Sequence, residues 1–302
     1  MRVGVILAAR APVPYLAEAL ESVLSQEPPP DDVVVVDHAS APPLAGLSGV
    51  RVVRVDDASG GPAAAREAGL AVLDTELIAL ADADDVWEPG KLAAQMKTLA
   101  AARDAAACFG RAIVIDESGR QTGERLPELP AGQIDADALR RSLYERNAIP
   151  AASTVICREA LEDVGGFRPA SPLPAASDWD LWLRLVTAGY GFVCEPAARI
   201  RYRRHPGGLT ADVALLGEAG LAIHERHAAL VDEVAARQAR AGDLETLARG
   251  RIRQRRYDDA KRALDEAAAI RPPQRRERML RRLVAIPGAR AALGRRDAYS
   301  GR

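Results

Sequence analysis

The sequence has few of the features that mark secreted, disulfide-linked or membrane-spanning chains. Its three cysteines, Cys108, Cys157 and Cys194, are scattered and form no C-x-x-C pair. This argues against a disulfide or zinc framework and favours a reduced, cytoplasmic chain with buried thiols. No apolar run approaches the roughly eighteen residues that a membrane-spanning helix needs. The apolar run that follows Arg2 ends by Arg10, which is too short for a signal peptide.

A strong overall charge is also absent. The net charge of −1 over 302 residues gives no electrostatic reason to expect a nucleic-acid partner. A hydrophobic fraction of 48% with 27% charged residues is ordinary for a soluble globular protein. The length allows one large domain and a small one.

The sequence does contain short apolar runs that alternate with helical patterns, which indicates βαβ units around a parallel sheet. The predicted strands are residues 3–9, 33–36, 50–55, 77–81, 105–115, 192–195 and 198–202. The predicted helices are residues 16–24, 60–73 and 89–102, with another beginning at Ser177. Residues 116–135, which are rich in glycine and proline, are expected to form a long loop, and residues 150–176 an irregular segment.

The composition changes after the stretch His205-Pro206-Gly207-Gly208, and from about Ala214 onwards only helical periodicity is visible. We therefore expect a boundary near residue 212, with an α/β domain over residues 1–212 and a helical domain over 213–302. One tetratricopeptide-like helix pair is marked by Leu244, Leu247, Ala248, Ala260, Leu264, Ala267 and Pro272. Because a single unit cannot bury a repeat core alone, we expect it to pack against the first domain or against a second copy of the chain.

The end of the chain is strongly basic, since residues 271–296 hold nine Arg and one Glu. With Met279, Leu280 and Leu283 between the arginines, this segment fits a basic amphipathic helix on an anionic membrane surface. A solvated, arginine-rich helix is the alternative.

Three carboxylates, Asp82, Asp84 and Asp85, follow the predicted strand over 77–81. They therefore lie at the carboxyl end of a strand, where open α/β sheets bind their ligands. Asp82 and Asp84 can face the same way in an extended loop, and such hard oxygen donors suit Mg²⁺ or Mn²⁺ together with substrate phosphates. The alternative is a solvated acidic turn that caps the next helix.

Two other segments suit a nucleotide. Asp37 follows the buried run 33–36, where its carboxylate can accept hydrogen bonds from a nucleoside or tie down its own turn. The glycine-rich stretch at the start of the helix over 60–73 offers free N–H groups to a phosphate. A plain helix start, with Arg66 on the surface, is the alternative.

A second chemical centre lies at Ser177-Asp178-Trp179-Asp180. Ser177 and Asp180 form an approximate capping box, which leaves Asp178 free to project from the start of the helix. For Asp178, the structural alternative is a partner of the helix dipole.

In their order and spacing these features resemble the family-2 glycosyltransferases, which have the GT-A fold. The resemblance covers about residues 1–210. It rests on the strings VGVILAA, LESVLSQ, VVVVDHAS, GGPAAAREAGL, ALADADDVWEPGKL, SDWDLWLRL and YRRHPGGLT. It implies a Rossmann-like mixed α/β sheet flanked by helices, followed here by an all-helical extension.

The resemblance implies that Asp82 and Asp84 form a D-x-D motif. Asp84 would ligate Mg²⁺ or Mn²⁺, and Asp82 would hold the ribose or the water shell of the metal. A bound divalent ion neutralises the diphosphate that departs from a nucleotide-sugar. His205 stands where many relatives place a histidine near the metal or the diphosphate.

The resemblance also implies contacts to the nucleotide. Asp37 would bind the nucleoside, and His38 stands where the family commonly has a second acid that touches the base. An imidazole can donate or accept a hydrogen bond at such a base. Arg66 would donate to the base or to a phosphate.

The implied activity is inverting transfer of a sugar from a nucleotide-diphosphate sugar to a carbohydrate or lipid-linked acceptor hydroxyl, in cell-envelope polysaccharide or glycoconjugate synthesis. Asp178 would be the catalytic base that takes the proton of the hydroxyl, with Asp180 as second choice. The acceptor would lie over residues 150–178, under the 116–135 loop. The expected location is the cytoplasm. Peripheral contact with the inner membrane surface, and a homodimer through the helical tail, are further expectations.

Two other functions fit parts of the sequence. A non-catalytic nucleotide-sugar-binding scaffold would tolerate His38 and Ser177 at positions where the family carries acids. A sugar-phosphate nucleotidyltransferase would begin with a stretch like Leu7-Ala8-Ala9-Arg10. The G-x-G-x-R that should follow is absent, because residues 11–14 are Ala-Pro-Val-Pro.

Overall fold

The computed structural model describes residues 1–10, 14–57, 59–102, 104–126, 128–168, 173 and 175–285. The chain divides into two compact units, Met1–His205 and Pro206–Arg302. This division precedes the boundary that we expected near residue 212. Residues 11–13, which follow the first strand, and residues 286–302 of the basic tail lie outside the described residues.

The first unit is an α/β domain built on one sheet. Its strands are β1 (Val3–Ala9), β2 (Asp32–His38), β3 (Arg51–Val55), β4 (Leu77–Asp82), β5 (Val86–Trp87), β6 (Ala105–Ile115), β7 (Gly132–Ile134), β8 (Thr154–Cys157) and β9 (Gly191–Arg203). Its helices are α1 (Leu16–Leu24), α2 (Gly61–Val72), α3 (Lys91–Ala101), α4 (Ala136–Glu145), α5 (Arg158–Asp163) and α6 (Ser177–Thr187). A short 3-10 turn lies at Ala151–Ser153.

The sheet is mixed, as the resemblance implied. In the described part of the chain its strand order is β3-β2-β1-β4-β8-β6-β9-β5, and β7 pairs with β9 outside this row. β1 is parallel to β2 and β4, and β3 is parallel to β2. β8 is antiparallel to both β4 and β6. The carboxyl ends of β1, β2 and β4 therefore meet at one edge, on both sides of the point where the strand order reverses.

Apolar residues on both faces explain why the central strands are buried. Val3, Val5 and Leu7 on one face of β1 are fully buried, and Ile6 on the other face is 1% exposed. The apolar face of α1 packs against the same core as Val3, Val5 and Leu7. A parallel sheet that is covered by helices on both sides requires such continuous apolar runs. The polar residues that follow each run are therefore carried to the edge of the sheet.

Three predictions for the second half of the domain are wrong. The segment over 150–176 contains β8 and α5, and the 116–135 loop contains β7. β7 and β8 have only three and four residues, so neither shows a clear alternation in the sequence. The two predicted closing strands form the single strand β9. Its register against β6 shifts between Phe109 and Arg111, and an irregularity of this kind accommodates Pro196.

A buried lysine connects α3 to β5. Lys91 is fully buried, its Nζ donates to Gln95 Oε1 at 2.7 Å, and it lies 3.8 Å from the centroid of the Trp87 ring. Burial lowers the pKa of Lys91 from 10.5 to about 7, although the Cys108 thiol nearby opposes the shift. In the unfolded chain the same amine keeps its ordinary pKa.

We predict that Lys91→Met changes how stability depends on pH. Between about pH 7 and 10 the unfolded parent binds a proton that the folded parent does not. The free energy of unfolding of the parent, relative to Lys91→Met, should therefore rise by up to about 1.4 kcal/mol per pH unit over this range. Urea titrations of both proteins at several pH values measure it. Lys97→Met, at an exposed site on the same helix, is the matched control. A pH dependence equal to that of the control would contradict the prediction.

The second unit is helical in its described part, Pro206–Ala285. Its helices are α7 (Val213–Arg226), α8 (Glu233–Arg253), α9 (Tyr257–Ile270) and α10 (Arg275–Ala285). α7 and α8 approach closely because Gly217 and Gly250 leave room for the backbone of the opposite helix. The shared core of α8, α9 and α10 consists of Ala241, Leu244, Ala248, Ile252, Ala260, Ala263, Leu264, Ala267, Leu280 and Val284.

Most of the residues that marked the tetratricopeptide-like pair lie in this core, and α8 and α9 form a helix pair. The assignment to that repeat class stays a prediction. Across the described residues, every helix is too short or too polar to cross a membrane.

Candidate active site

The acidic loop begins at the last residue of β4. Asp82 Oδ1 accepts a hydrogen bond from Arg66 Nη2 of α2 at 2.9 Å. The Arg66 side chain is only 6% exposed, whereas that of Asp82 is 29% exposed. The alternative of a surface Arg66 is therefore wrong. The guanidinium holds one Asp82 oxygen and leaves the other available to a ligand.

Asp84 lies in the turn between β4 and β5. His205 Nε2 donates to Asp84 Oδ2 at 3.0 Å, and the Tyr15 ring meets the His205 ring edge-on at 5.1 Å between centroids. Burial raises the pKa of Asp84, the charge of Asp82 raises it further, and His205 opposes both effects. The structure thus brings Asp82, Asp84 and His205 close together.

Asp85 braces the loop from inside. Its Oδ1 accepts the backbone N–H of Arg203 at 2.9 Å, and its other oxygen is buried without a partner among the described residues. Burial raises the pKa of Asp85 well above its ordinary value, and Asp84 and Asp82 add to the shift. Asp85 is therefore not part of a solvated turn, whereas the side chains of Asp82 and Asp84 remain 29% and 33% exposed. The loop also does not cap α3, because Gly90 occupies the cap position with a left-handed φ of 78°.

Arg203, which the sequence did not distinguish from the half-buried Arg201 and Arg204, holds this loop in place. Its Nε donates to the Asp84 carbonyl at 3.0 Å, and its Nη2 pairs with Glu18 Oε2 of α1 at 2.6 Å. The guanidinium also stacks on Tyr15 at 4.3 Å from the ring centroid. These contacts join segments up to 185 positions apart, so no local sequence pattern predicts them. Arg203 orients the backbone that presents Asp84.

The donor atoms in the loop fit a divalent ion that binds together with a diphosphate. Among the described residues, no group of three or more His, Cys, Asp or Glu side chains is arranged to hold a metal by itself. Mg²⁺ usually takes one or two protein carboxylates and completes its shell with phosphate oxygens and water. Asp84, with Asp82 and His205 beside it, offers such a partial set. Burial and the neighbouring charge of Asp82 raise the pKa of Asp84, and a bound cation would oppose both effects by favouring the ionised carboxylate.

The two residues at the end of β2 have different environments. Asp37 is 1% exposed and accepts hydrogen bonds from Ser40 N, Leu44 N and Arg54 Nη1 at 3.0, 3.0 and 2.8 Å. These bonds lower the pKa of Asp37, although burial, the largest single influence, acts in the opposite direction. His38 is 7% exposed, and its Nε2 is buried without a partner in the described part of the chain. Asp37 is thus occupied by its own turn, whereas His38 retains an unused polar atom.

Asp178 lies at the start of α6. Its Oδ1 accepts the N–H of Trp179 at 2.8 Å, and its Oδ2 accepts from Asn147 Nδ2 at 3.2 Å. Burial raises the pKa of Asp178 and Asp82 adds to this, while Arg66 and both hydrogen bonds lower it. Asp178 therefore lies within electrostatic reach of the Arg66–Asp82 pair.

The predicted capping box is wrong. α6 begins at Ser177, its cap position is occupied by Ala176, and no side chain bonds there. Asp180 instead accepts from Arg184 Nε at 2.8 Å, one turn further along the helix, and both side chains are buried. Asp180 therefore forms a buried salt bridge, whereas the hydrogen bonds to Asp178 come from two neutral donors. Of the predicted acceptor segment, residues 169–172 and 174 lie outside the described residues.

A mixed sheet of this order, with acids at the ends of its parallel strands, is the arrangement expected for the GT-A fold. The comparisons with known proteins give the family. The family model "Glycosyl transferase family 2" matches residues 5–165, and the chain belongs to this family.

Known relatives agree with this identification. The chain is 30% identical over 245 residues to the succinoglycan biosynthesis protein ExoU of Rhizobium meliloti, a match that covers 73% of this chain and 69% of the relative. Among solved structures, S. aureus TarS 1-349 in complex with UDP-GlcNAc has a TM-score of 0.60 at 16% identity, covering 97% of this chain and 88% of that one. The mannosyltransferase PcManGT from Pyrobaculum calidifontis, in complex with GDP-Man and Mn²⁺, has a TM-score of 0.56 at 18% identity, with 97% and 86% covered. At these identities the two structures establish the fold alone.

Proposed function

We propose that this family-2 glycosyltransferase is metal-dependent and inverting, and that it transfers one sugar from a nucleotide-diphosphate sugar to an acceptor hydroxyl. The acceptor belongs to a polysaccharide or glycoconjugate under synthesis. The name of the Rhizobium relative supports that setting. The ligands of the two solved structures support a nucleotide-sugar donor and a divalent ion.

The observation that carries this proposal is that Arg66 binds one acid and acts electrostatically on the other. Arg66 binds Asp82 at 2.9 Å, and its charge lowers the pKa of Asp178 while that of Asp82 raises it. The acids proposed for the donor and for the acceptor thus share one electrostatic neighbourhood. A single cleft can then hold the donor and the acceptor together.

In the proposed reaction Asp178 takes the proton of the acceptor hydroxyl while the hydroxyl oxygen forms a bond to the anomeric carbon. The bond from that carbon to the diphosphate breaks in the same step, and the nucleoside diphosphate leaves. One displacement of this kind inverts the anomeric configuration. Asp84, with Asp82 and His205, would hold a Mg²⁺ or Mn²⁺ ion. When bound, the ion supplies charge neutralisation for the departing diphosphate.

The nucleoside would meet His38 rather than the carboxylate of Asp37. We predict that His38→Ala weakens the binding of the preferred nucleoside diphosphate by about 3- to 10-fold, the worth of one hydrogen bond. His38 is 7% exposed, so its truncation to alanine also leaves a cavity and should lower the melting temperature of the free protein. The affinity is therefore measured at a temperature well below the melting temperature of the variant. Asp37→Ala should lower the melting temperature by removing three hydrogen bonds from its turn. Calorimetric titration and thermal melts measure both quantities. Parent-like affinity in His38→Ala would contradict the base contact.

The release of nucleoside diphosphate from a panel of donors tests the proposed function. The panel is UDP-glucose, UDP-galactose, UDP-N-acetylglucosamine and GDP-mannose, each with MnCl₂ and with water as the acceptor. We expect turnover of at least one donor, and loss of that turnover on addition of a chelator. A non-catalytic scaffold would bind a nucleotide, and so gain thermal stability from it, without turning over any donor.

We propose that the catalytic residues lie within residues 1–212 and that the helical part binds a membrane surface or a second copy of the chain. Contact of the basic tail with an anionic inner membrane surface, and pairing with a second copy, are both kept as proposals. Binding to vesicles of phosphatidylglycerol, compared with that of a chain in which the exposed residues Arg275, Arg278 and Arg282 are changed to Gln, tests the first. Equal vesicle binding by the two chains would leave the tail with no membrane role.

A further inference from the structure

The last turn of α4 and the segment that leads from it to the turn at Ala151–Ser153 are each anchored to α6 at one point. Trp179 Nε1 donates to the carbonyl of Leu143 at 2.5 Å, and Trp182 Nε1 donates to the carbonyl of Ile149 at 3.2 Å. Trp182, Leu143 and Ile149 are fully buried. Both anchors come from the helix that begins beside Asp178. The backbone on either side of residue 147 is therefore held in a fixed position relative to that acid.

Asn147 lies between the two anchors and donates its amide to Asp178 Oδ2 at 3.2 Å. The Trp179 N–H donates to the other oxygen at 2.8 Å. With one donor on each oxygen, the carboxylate cannot rotate freely about its bond to the side chain. Each oxygen still has a lone pair that can accept a proton.

The exposure of Asn147 argues against a role in packing. Its side chain is exposed, unlike those of Ala148 and Ile149 that follow it. An exposed amide that bonds to one carboxylate adds little to stability. The main effect of the contact is that it restricts the rotation of the Asp178 carboxylate.

We propose that Asn147 is a positioning residue for the base. It acts through Asp178, whose carboxylate it holds in the orientation that faces the acceptor hydroxyl, and it touches neither sugar. This inference rests on the proposed function, in which Asp178 takes the acceptor proton.

The Asn147 amide also affects the pKa of Asp178. Burial and the charge of Asp82, at the end of β4, raise the pKa of Asp178. Arg66 of α2, the Trp179 N–H and the Asn147 amide lower it. Removing the amide takes away one of the three groups that favour the ionised base. The acid limb of the rate profile should then move to higher pH.

The test measures donor hydrolysis by the parent and by Asn147→Ala, with the donor that the parent turns over and with MnCl₂. We expect kcat to fall by about 10- to 100-fold, because Asp178 remains in the site but its carboxylate is no longer held in one orientation. KM for the donor and the melting temperature should stay close to the parent values. The acid limb of kcat/KM should move to higher pH.

Two further variants test whether the effect comes from the amide of Asn147. Asn147→Asp has the same shape but cannot donate when ionised and adds a like charge, so its acid limb should move further than that of Asn147→Ala. Arg146→Ala, at the exposed residue next to Asn147, is the matched control and should behave like the parent.

The outcomes separate this inference from the proposed function. If Asp178→Asn is inactive and Asn147→Ala has the parent kcat and pH profile, Asn147 has no positioning role. A fall in the melting temperature of Asn147→Ala and Asn147→Asp, with an unchanged pH profile in both, would show a structural role and overturn the inference. If Asp178→Asn retains parent activity, the proposed base is wrong, and the inference fails with it.

Discussion

Replacing Asp178 with asparagine is expected to lower sugar transfer by about 10²- to 10⁴-fold, the usual worth of a positioned general base. Asparagine keeps the shape of the side chain but cannot take the proton of the acceptor hydroxyl. Arg66, Asp82 and Asp84 stay in place, so the affinity for the nucleotide should not fall. Initial rates of nucleoside diphosphate release, together with calorimetric titration of the nucleotide, measure both quantities.

Asp180→Asn is the matched control on the same helix. Asp180 is buried and bonded to Arg184 at 2.8 Å, so its replacement should lower the melting temperature. The rate per folded molecule should change much less than in Asp178→Asn. The opposite pattern, with transfer lost in Asp180→Asn and retained in Asp178→Asn, would move the base to Asp180.

The second large effect is expected from Asp84→Asn. Without the carboxylate, the loop loses the principal ligand proposed for the divalent ion, and transfer should fall by at least about 10²-fold. The gain in melting temperature that Mn²⁺ adds to nucleotide binding should disappear. The melting temperature of the free protein should not fall, because burial and the charge of Asp82 both disfavour an ionised Asp84, and the asparagine oxygen can still accept from His205 Nε2.

Thermal melts of the free protein, with nucleotide alone and with nucleotide plus Mn²⁺, separate these effects. Asp74→Asn, at a fully exposed acid after α2, is the control for the loss of a carboxylate on the surface. A parent-sized Mn²⁺ effect in Asp84→Asn would contradict the metal assignment.

The first half of the domain could be predicted from the sequence because its signals are local. β1, β2 and β4 are apolar runs buried on both faces, and each ends in polar residues. The order of strands and helices then places Asp82 and Asp84 at the ligand-binding edge of the sheet. The family resemblance contributed the roles of these acids, which the spacing alone left open.

The second half depends on contacts between distant segments. β6 and β9 pair in parallel although about eighty residues separate them in the chain, and β8, with four residues, is inserted antiparallel between β4 and β6. α4 is absent from the predicted helices although the sequence contains a local signal for it. Asp135 caps its first turn, and Leu139 and Leu143 repeat at helical spacing.

The side chains that hold the site together were the hardest to predict. Arg203 resembles Arg201 and Arg204 in the sequence, yet its side chain is 2% exposed while theirs are 35% and 31% exposed. Asn147 reaches Asp178 only because the two tryptophans of α6 anchor its segment. Both cases arise from tertiary contacts that no periodicity encodes.

The anomeric configuration of the first product tests the proposed single displacement most directly. Proton NMR during donor hydrolysis, before the free sugar mutarotates, reports this configuration. From an α-linked nucleotide-sugar, attack by a water that Asp178 activates predicts the β-anomer as the first product. Early appearance of the α-anomer would mean retention and would contradict a one-step transfer between Asp178 and the acidic loop.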